Sequence, residues 1–249
     1  MQNCKAAVTP IVKDATLQNN EKEAALFHYR QAVGALSYLA VGTRPDIAYA
    51  VSVVSRKLDN PNPEDVVTVK RIFRYIKGTI DYGITYQYST ATNRCIKSYS
   101  YADHGGDLTT GKSTSGMVCI YSIGAIAWQS KRQTTVAISS TEAEIVAASE
   151  TAREIIWLKG ILEFMVTGDV YVELYLDSES PICLAHDPPY ESHQRTKHIQ
   201  IRHFFVRECV TTGRLKVLKV DAAKQLADFL TKPLFKPRIK ELSTLIGLA

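Results

Sequence analysis

Apolar residues recur at helical spacing between Tyr29 and Tyr86, and after about residue 92 the pattern changes to short alternating runs separated by longer helical stretches. In the first region Thr43-Arg44-Pro45-Asp46 reads as a helix start, with Pro45 in the first turn. Behind it Ile47, Ala50, Val51, Val54 and Leu58 form one apolar stripe, which Asp59-Asn60-Pro61-Asn62-Pro63 ends. The next helix carries Val66, Val69, Phe73 and Ile76 on one face, with Lys70, Arg71, Arg74 and Lys77 on or beside the other, and Gly78 closes it. The opening stretch, residues 1–27, is polar and mixed and is expected to be loose.

In the second region Ile96 to Tyr101 reads as a strand, and Met117–Tyr121 with Ala125–Trp128 as a hairpin joined at Ser122-Ile123-Gly124. A long helix begins near Ser139-Ser140-Thr141-Glu142, a capping-box spacing, and continues through Ile145, Ala148, Ala152 and Ile155. Val170 to Leu176 is nearly continuously apolar and aromatic, which predicts a central strand covered on both faces and ending at Asp177. A short helix to His186, a helix over 199–210, a strand over 214–220 and a last helix over 223–231 follow. Strands alternating with helices in this order predict an α/β domain with a mixed sheet. Trp128, Tyr99, Tyr121 and Tyr175 fall within strands and are expected to be packing residues.

Composition narrows the picture only slightly. With 249 residues and 45% hydrophobic content the chain can bury a sizeable core in one or two domains. The charge of +5 permits a polyanionic partner without requiring one. Five scattered cysteines, Cys4, Cys95, Cys119, Cys183 and Cys209, contain no CxxC pair, which fits reduced thiols better than a zinc site or a disulfide framework. No apolar run approaches the roughly 18 residues of a membrane span, and the N-terminus lacks the apolar core of a signal peptide. A soluble, intracellular protein with no membrane partner is expected.

Three acids occupy positions suited to metal chemistry. Asp177 closes the proposed central strand, where ligands of α/β sheets gather. Glu144 lies in the first turn of the long helix, and Asp228 in the last helix. Oxygen ligands from distant segments suit Mg²⁺, and a pair of such ions can activate water and stabilise the leaving oxygen of a phosphodiester. Each acid also has a plain alternative: Asp177 as a helix cap, Glu144 as a partner of the helix dipole, Asp228 as a solvated residue.

Longer motifs change that balance. Lys112-Ser113-Thr114-Ser115-Gly116, Ser139-Ser140-Thr141-Glu142-Ala143-Glu144, Arg195-Thr196-Lys197-His198-Ile199 and Leu226-Ala227-Asp228-Phe229-Leu230-Thr231-Lys232 occur in order. Upstream stand Tyr29-Arg30-Gln31-Ala32-Val33-Gly34, Thr43-Arg44-Pro45-Asp46-Ile47-Ala48-Tyr49-Ala50-Val51 and Arg74-Tyr75-Ile76-Lys77-Gly78-Thr79. Together they resemble the C-terminal end of copia-type retrotransposon Pol polyproteins along nearly the whole chain. The resemblance implies an RNase H-like fold with a mixed central sheet over residues 92–235, preceded over 28–91 by a small helical remnant of the reverse transcriptase thumb and connection region, and followed by a tail over 236–249. It implies an endonuclease that cuts RNA in RNA–DNA hybrids with Mg²⁺ or Mn²⁺, working beside the upstream reverse transcriptase domains of the parent polyprotein. It implies a location in the cytoplasm, within a virus-like particle, or in the nucleus. In that family an Asp-Glu-Asp-Asp set binds two ions, and Glu144, Asp177 and Asp228 match its last three members.

The first member does not match: Tyr101 stands before Ala102 where the family has Asp. A neutral phenol is a poor Mg²⁺ ligand, so impaired catalysis or a catalytically inactive nucleic-acid-binding module is implied. Asp103 is a candidate substitute ligand on the same strand face, displaced by roughly 6.6 Å along the strand. No Asp-Asp pair of the reverse transcriptase kind occurs, so the chain is not expected to polymerise DNA by itself, and the palm and fingers are expected upstream.

Two basic groups are candidate nucleic-acid contacts: Lys70, Arg71, Arg74 and Lys77, whose alternative is a solvated helix face, and a segment that includes Arg195, Lys197 and His198. His193, His198 and His203 are spaced by five and so do not share a helix face, which argues against a metal site there. Lys112-Ser113-Thr114 lacks the upstream glycine of a phosphate loop.

Overall fold

The structure is a computed structural model that describes residues 4–12, 27–87, 94–179, 182 and 197–249. In chain order its elements are α1 (Tyr29–Gly42), a 3-10 turn (Pro45–Ile47), α2 (Ala48–Ser55), α3 (Pro63–Lys77), β1 (Cys95–Ala102), β2 (Thr114–Tyr121), β3 (Gly124–Arg132), α4 (Ser140–Met165), β4 (Tyr171–Leu176), α5 (Lys197–Thr211), β5 (Lys216–Lys219), 3-10 turns at Ala222–Lys224 and Asp228–Leu230, and α6 (Lys236–Leu245). They fall into two compact units, Met1–Thr85 with Lys232–Ala249, and Tyr86–Thr231.

The first unit is helical. Asn62 caps α3 by accepting the Asp65 N–H while the Asp65 carboxylate accepts the Asn62 N–H, a complete capping box ahead of Pro63. The buried face of α3 is Val66, Val69, Ile72 and Tyr75; Phe73 and Ile76, expected on that face, are only partly buried. A helix of 3.6 residues per turn carries the stripe through 69, 72 and 75, leaving 73 and 76 at its margin. Residues 4–12 are not loose: Ala7 donates its N–H to the Arg74 carbonyl at 3.1 Å, and Ala7 and Thr9 are buried. Residues 236–249, read from sequence as a tail, hold α6 and bury Leu242, Ile246 and Leu248 within this unit. Their last residues pair with 83–85 through backbone bonds between Gly83 and Ala249 and from Thr85 to Gly247.

In the second unit the sheet order is β3-β2-β1-β4-β5, with β1–β2 and β2–β3 antiparallel and β1–β4 and β4–β5 parallel. This is the expected RNase H-like fold with a mixed sheet. Strand β1 is central and alternates strictly, burying Ile96, Ser98, Ser100 and Ala102. Helix α4 lies against that face through Ala143, Ala147, Ala148 and Ala152, whose small side chains let helix and sheet approach closely. Ile155, Val172, Leu174, Leu176, Val206, Cys209 and Val217 complete the core.

Two expectations need correction here. Strand β4 is covered on one face only: Val172, Leu174 and Leu176 are buried, while Tyr171 is 62% exposed and Glu173 and Tyr175 are partly exposed. It pairs between β1 and the short edge strand β5, and its other face carries tyrosines and a glutamate, which tolerate water at their polar ends. The last helix over 223–231 is instead two 3-10 turns, because Gln225 is extended between them (φ −71°, ψ 104°). The short helix expected after Asp177 lies mostly outside the described residues. No described helix is long and apolar enough to cross a membrane.

Candidate metal centre at the strand ends

Strands β1 and β4 run parallel, and the last paired positions of their ladder are Tyr99 and Tyr175, whose rings stack at 4.9 Å. Two residues further on, Tyr101 is still within β1, while Asp177 stands in the bend that follows the last residue of β4, Leu176. Tyr101 opposes Gly116 of β2.

Glu144 enters from α4. Ser139 caps that helix by accepting the Glu142 N–H at 3.1 Å, and the Glu142 carboxylate accepts the N–H of Ile138, one residue before the position a capping box would use. The helix start is also tied to the sheet by Gln133, whose amide donates to the Ala143 carbonyl at 2.8 Å and to the Ser115 hydroxyl at 3.0 Å. Glu144, the next residue, accepts a hydrogen bond from Ser178 and lies in the field of Asp177. Burial raises its carboxyl pKa above the ordinary value, the Ser178 bond opposes that, and the Asp177 charge adds to it. Its Oε2 is buried with no hydrogen-bond partner among the described residues.

The turn that carries Asp228 is seated on β2 by a missing side chain. A Cβ at Gly116 would come within 2.7 Å of Thr231 Cγ2, 2.8 Å of the Ala227 carbonyl oxygen and 2.9 Å of Leu230 Cβ. Gln225, fully buried, anchors the same segment by donating to the Ser100 carbonyl of β1 at 3.0 Å. Gly116→Ala is therefore expected to lift the 227–231 turn off the sheet and destabilise the chain by about 1–3 kcal/mol, the range for forcing an atom into a packed site, because backbone as well as side chain must move. Urea denaturation followed by circular dichroism reads this; an unchanged midpoint would show that the turn yields freely.

Glu144 and Asp177 thus come together, and Ser178 joins them. Asp228 does not complete a set: among the described residues no three His, Cys, Asp or Glu side chains gather closely enough to hold a metal ion. Asp103 is drawn into the β1–β2 connection, its Oδ1 accepting the Thr114 N–H and its own N–H bonding to the Thr114 carbonyl at 3.2 Å. Its carboxylate also occupies the space that a side chain at Gly106 would need. That loop is further fixed by Asp107, which receives Arg132 Nη1 and the Thr109 N–H; these bonds outweigh burial and bring its carboxyl down to about 2.

The basic candidates are placed unequally. Arg195 lies outside the described residues, and Lys197 and His198 open α5. Further along α5, Arg202 lies 3.7 Å from Glu150 and 3.4 Å from the Ser149 hydroxyl of α4. In the first unit Arg71, Arg74 and Lys77 donate to oxygens of residues 4–9, and Lys70 lies 5.8 Å from the centre of the Phe27 ring. Sequence reading missed Gln133 and Gln225 as positioning residues. Neither sits in a recognisable spacing, and only the tertiary contact gives them a role. Gly116 was visible inside a motif, without its reason.

No family model matches the chain. It is 41% identical along its whole length to the retrovirus-related Pol polyprotein from transposon TNT 1-94 of Nicotiana tabacum, covering 19% of that protein. It is 35% identical, again along its whole length, to the retrovirus-related Pol polyprotein from transposon RE2 of Arabidopsis thaliana, covering 17% of it. Among solved structures, LC11-RNase H1 isolated from compost is similar over 59% of this chain and 97% of that one, at 16% identity and a TM-score of 0.43. The chain spans about a fifth of the length of the curated relatives it matches. Whole-length identity at this level, with the motifs in order and the strand order they imply, gives one conclusion: the chain belongs to the copia-type retrotransposon Pol polyproteins.

Proposed function

We propose that the second unit is an RNase H-type endonuclease module acting on the RNA strand of an RNA–DNA hybrid, with its metal chemistry impaired by Tyr101. The first unit, on this reading, is the thumb and connection remnant of the reverse transcriptase, and its natural partners are the upstream domains of the polyprotein.

The observation that carries the proposal is the Glu144–Asp177 pair at the strand ends, with Oε2 of Glu144 buried and without a hydrogen-bond partner among the described residues. A buried carboxylate in the field of a second one, with an oxygen that has no hydrogen-bond partner among the described residues, fits a hard divalent cation such as Mg²⁺ or Mn²⁺. Bound there, the ion would supply activation of water toward the phosphodiester. The chain's own residues do the rest. Ser178 fixes the Glu144 carboxylate, Gln133 fixes the helix start that carries it, and Gly116 lets the Asp228 turn lie on the sheet. The residues fit one ion better than two, since the family's first carboxylate is a phenol here and no three acids gather among the described residues. Those same observations favour a second reading, in which the unit holds hybrid without cutting it.

The discriminating experiment incubates the purified chain with a labelled hybrid in Mg²⁺ and in Mn²⁺, alongside Glu144→Gln. Slow, metal-dependent cleavage that falls by about 10²-fold or more in the variant supports the nuclease, that being the scale of losing a well-placed catalytic contact. A hybrid that is bound but left intact in both metals removes the nuclease and leaves the binding reading.

A further inference from the structure

Helix α3 turns its cations toward a segment of its own chain. Arg71 donates from Nε to the Thr9 carbonyl at 3.1 Å and from Nη2 to the Thr9 hydroxyl at 2.8 Å. Arg74 donates to the Lys5 carbonyl at 2.7 Å and Lys77 to the Cys4 carbonyl at 2.8 Å. The segment returns one bond, from the Ala7 N–H to the Arg74 carbonyl at 3.1 Å. Three of the four acceptors are main-chain carbonyls, so the helix holds an irregular segment by its backbone and reads almost nothing of its sequence.

Two features make this a weak cover over a strong site. Among the described residues neither Arg71 nor Arg74 has a carboxylate partner; both donate to neutral oxygens. Burial and then the neighbouring Arg74 charge lower the Arg71 pKa below its ordinary value, a cost that an anion would relieve. Phosphate oxygens accept from guanidinium more strongly than neutral carbonyls do. The cover has few apolar anchors: of residues 4–12 Ala7, Thr9 and Pro10 are buried, Ile11 packs half-buried against the helical core, and Lys5, Ala6, Val8 and Val12 are exposed. A segment with so little buried apolar surface opens locally at small cost.

We propose that residues 4–12 are a displaceable cover on a docking surface for nucleic-acid phosphates, formed by Arg71 and Arg74 and flanked by Lys70 and Lys77. Nucleic acid and the cover compete for the same guanidiniums. The surface would bind any duplex through its backbone, with affinity falling steeply as salt rises. The inference stands apart from the nuclease reading, because it concerns the first unit and is read by binding, so either can fail alone.

The path of the cover offers a lock. A Cβ at Gly78 would lie 3.0 Å from Ala6 Cβ, slightly closer than the usual disulfide separation of about 3.5–4.5 Å. Ala6→Cys with Gly78→Cys, in a full chain with Cys4→Ser, can therefore be closed by oxidation and opened by reductant. Fluorescence anisotropy with a labelled RNA–DNA hybrid of about 20 base pairs at low salt measures the result. The oxidised chain should bind at least about tenfold more weakly than the same chain reduced, and adding Arg71→Ala and Arg74→Ala should abolish that difference. Equal binding in the two redox states overturns the proposal. So does a redox difference that survives loss of both arginines.

Discussion

Tyr101→Asp should raise metal-dependent cleavage of an RNA–DNA hybrid by about 10²-fold or more, since misplacing a catalytic group by about an ångström already costs that much. The strand geometry supports the direction. Tyr101 leaves β1 on the face of Tyr99, whose ring stacks on Tyr175, and Asp177 follows two residues after Tyr175. A carboxylate at 101 would stand near the end of β1, whose parallel neighbour β4 ends one residue before Asp177, and on the proposed reading it would add a third acid at the strand ends. The same substitution carries a signature that a simple gain of folding would not give. Without metal, a third negative charge next to two others should lower stability, because Glu144 already has a raised pKa through burial and through Asp177. With Mg²⁺ or Mn²⁺ that penalty should reverse. The expected result is a lower Tm in chelator and a larger upward shift of Tm with metal than the unmodified chain shows. If the variant neither cuts nor responds to metal, the strand ends do not form an ion site, and the nuclease reading falls with it.

How far the sequence carried this picture depends on the kind of contact. The strands and most of the helices were legible from local apolar patterns, periodic along α3, α4 and β1 and nearly continuous along β4. The 222–231 segment was not, because its apolar spacing is helical while Gln225, bonded to Ser100 of a distant strand, holds the backbone extended. The Glu144 and Asp177 positions were legible from motif resemblance, and the structure adds Ser178 as the group that joins them. Asp103 could be named as a substitute ligand from strand alternation alone. Only the fold shows its carboxylate engaged by the Thr114 N–H, since β1 ends at Ala102 and Asp103 already belongs to the connection. The basic stripe of α3 was visible as charge, but its occupant comes from more than 60 residues away along the chain.

Asp46→Ala is expected to destabilise the first unit by about 3–5 kcal/mol, the range for leaving one member of a buried ion pair without its partner. From sequence, Thr43-Arg44-Pro45-Asp46 announced a helix start, and Pro45 does open the 3-10 turn that leads into α2. The larger role of the motif lies in its charges. Arg44 grips Asp46 with two bonds, Nε to Oδ1 at 2.9 Å and Nη2 to Oδ2 at 2.7 Å, and the side chains are 5% and 0% exposed. The guanidinium also donates to the Thr79 carbonyl at 2.9 Å and its hydroxyl at 2.6 Å, and lies 5.8 and 5.6 Å from the rings of Tyr75 and Tyr82. One cation thus joins the entry of α2 to the segment after α3. With Asp46 truncated, that cation stays buried against neutral acceptors and ring faces, which cannot replace the lost carboxylate. Asp59→Ala provides the contrast: its pair with Arg30 is 97% and 73% exposed, so solvent screening should hold the loss within about 0.5 kcal/mol. Urea unfolding of the whole chain, followed by a probe confined to the helical unit, compares the two. Replacing the pair together by apolar residues of similar size should recover much of the loss, because desolvation is then removed along with attraction. Equal small effects from Asp46→Ala and Asp59→Ala would mean that water reaches the Arg44 site, and that the motif acts only as a turn.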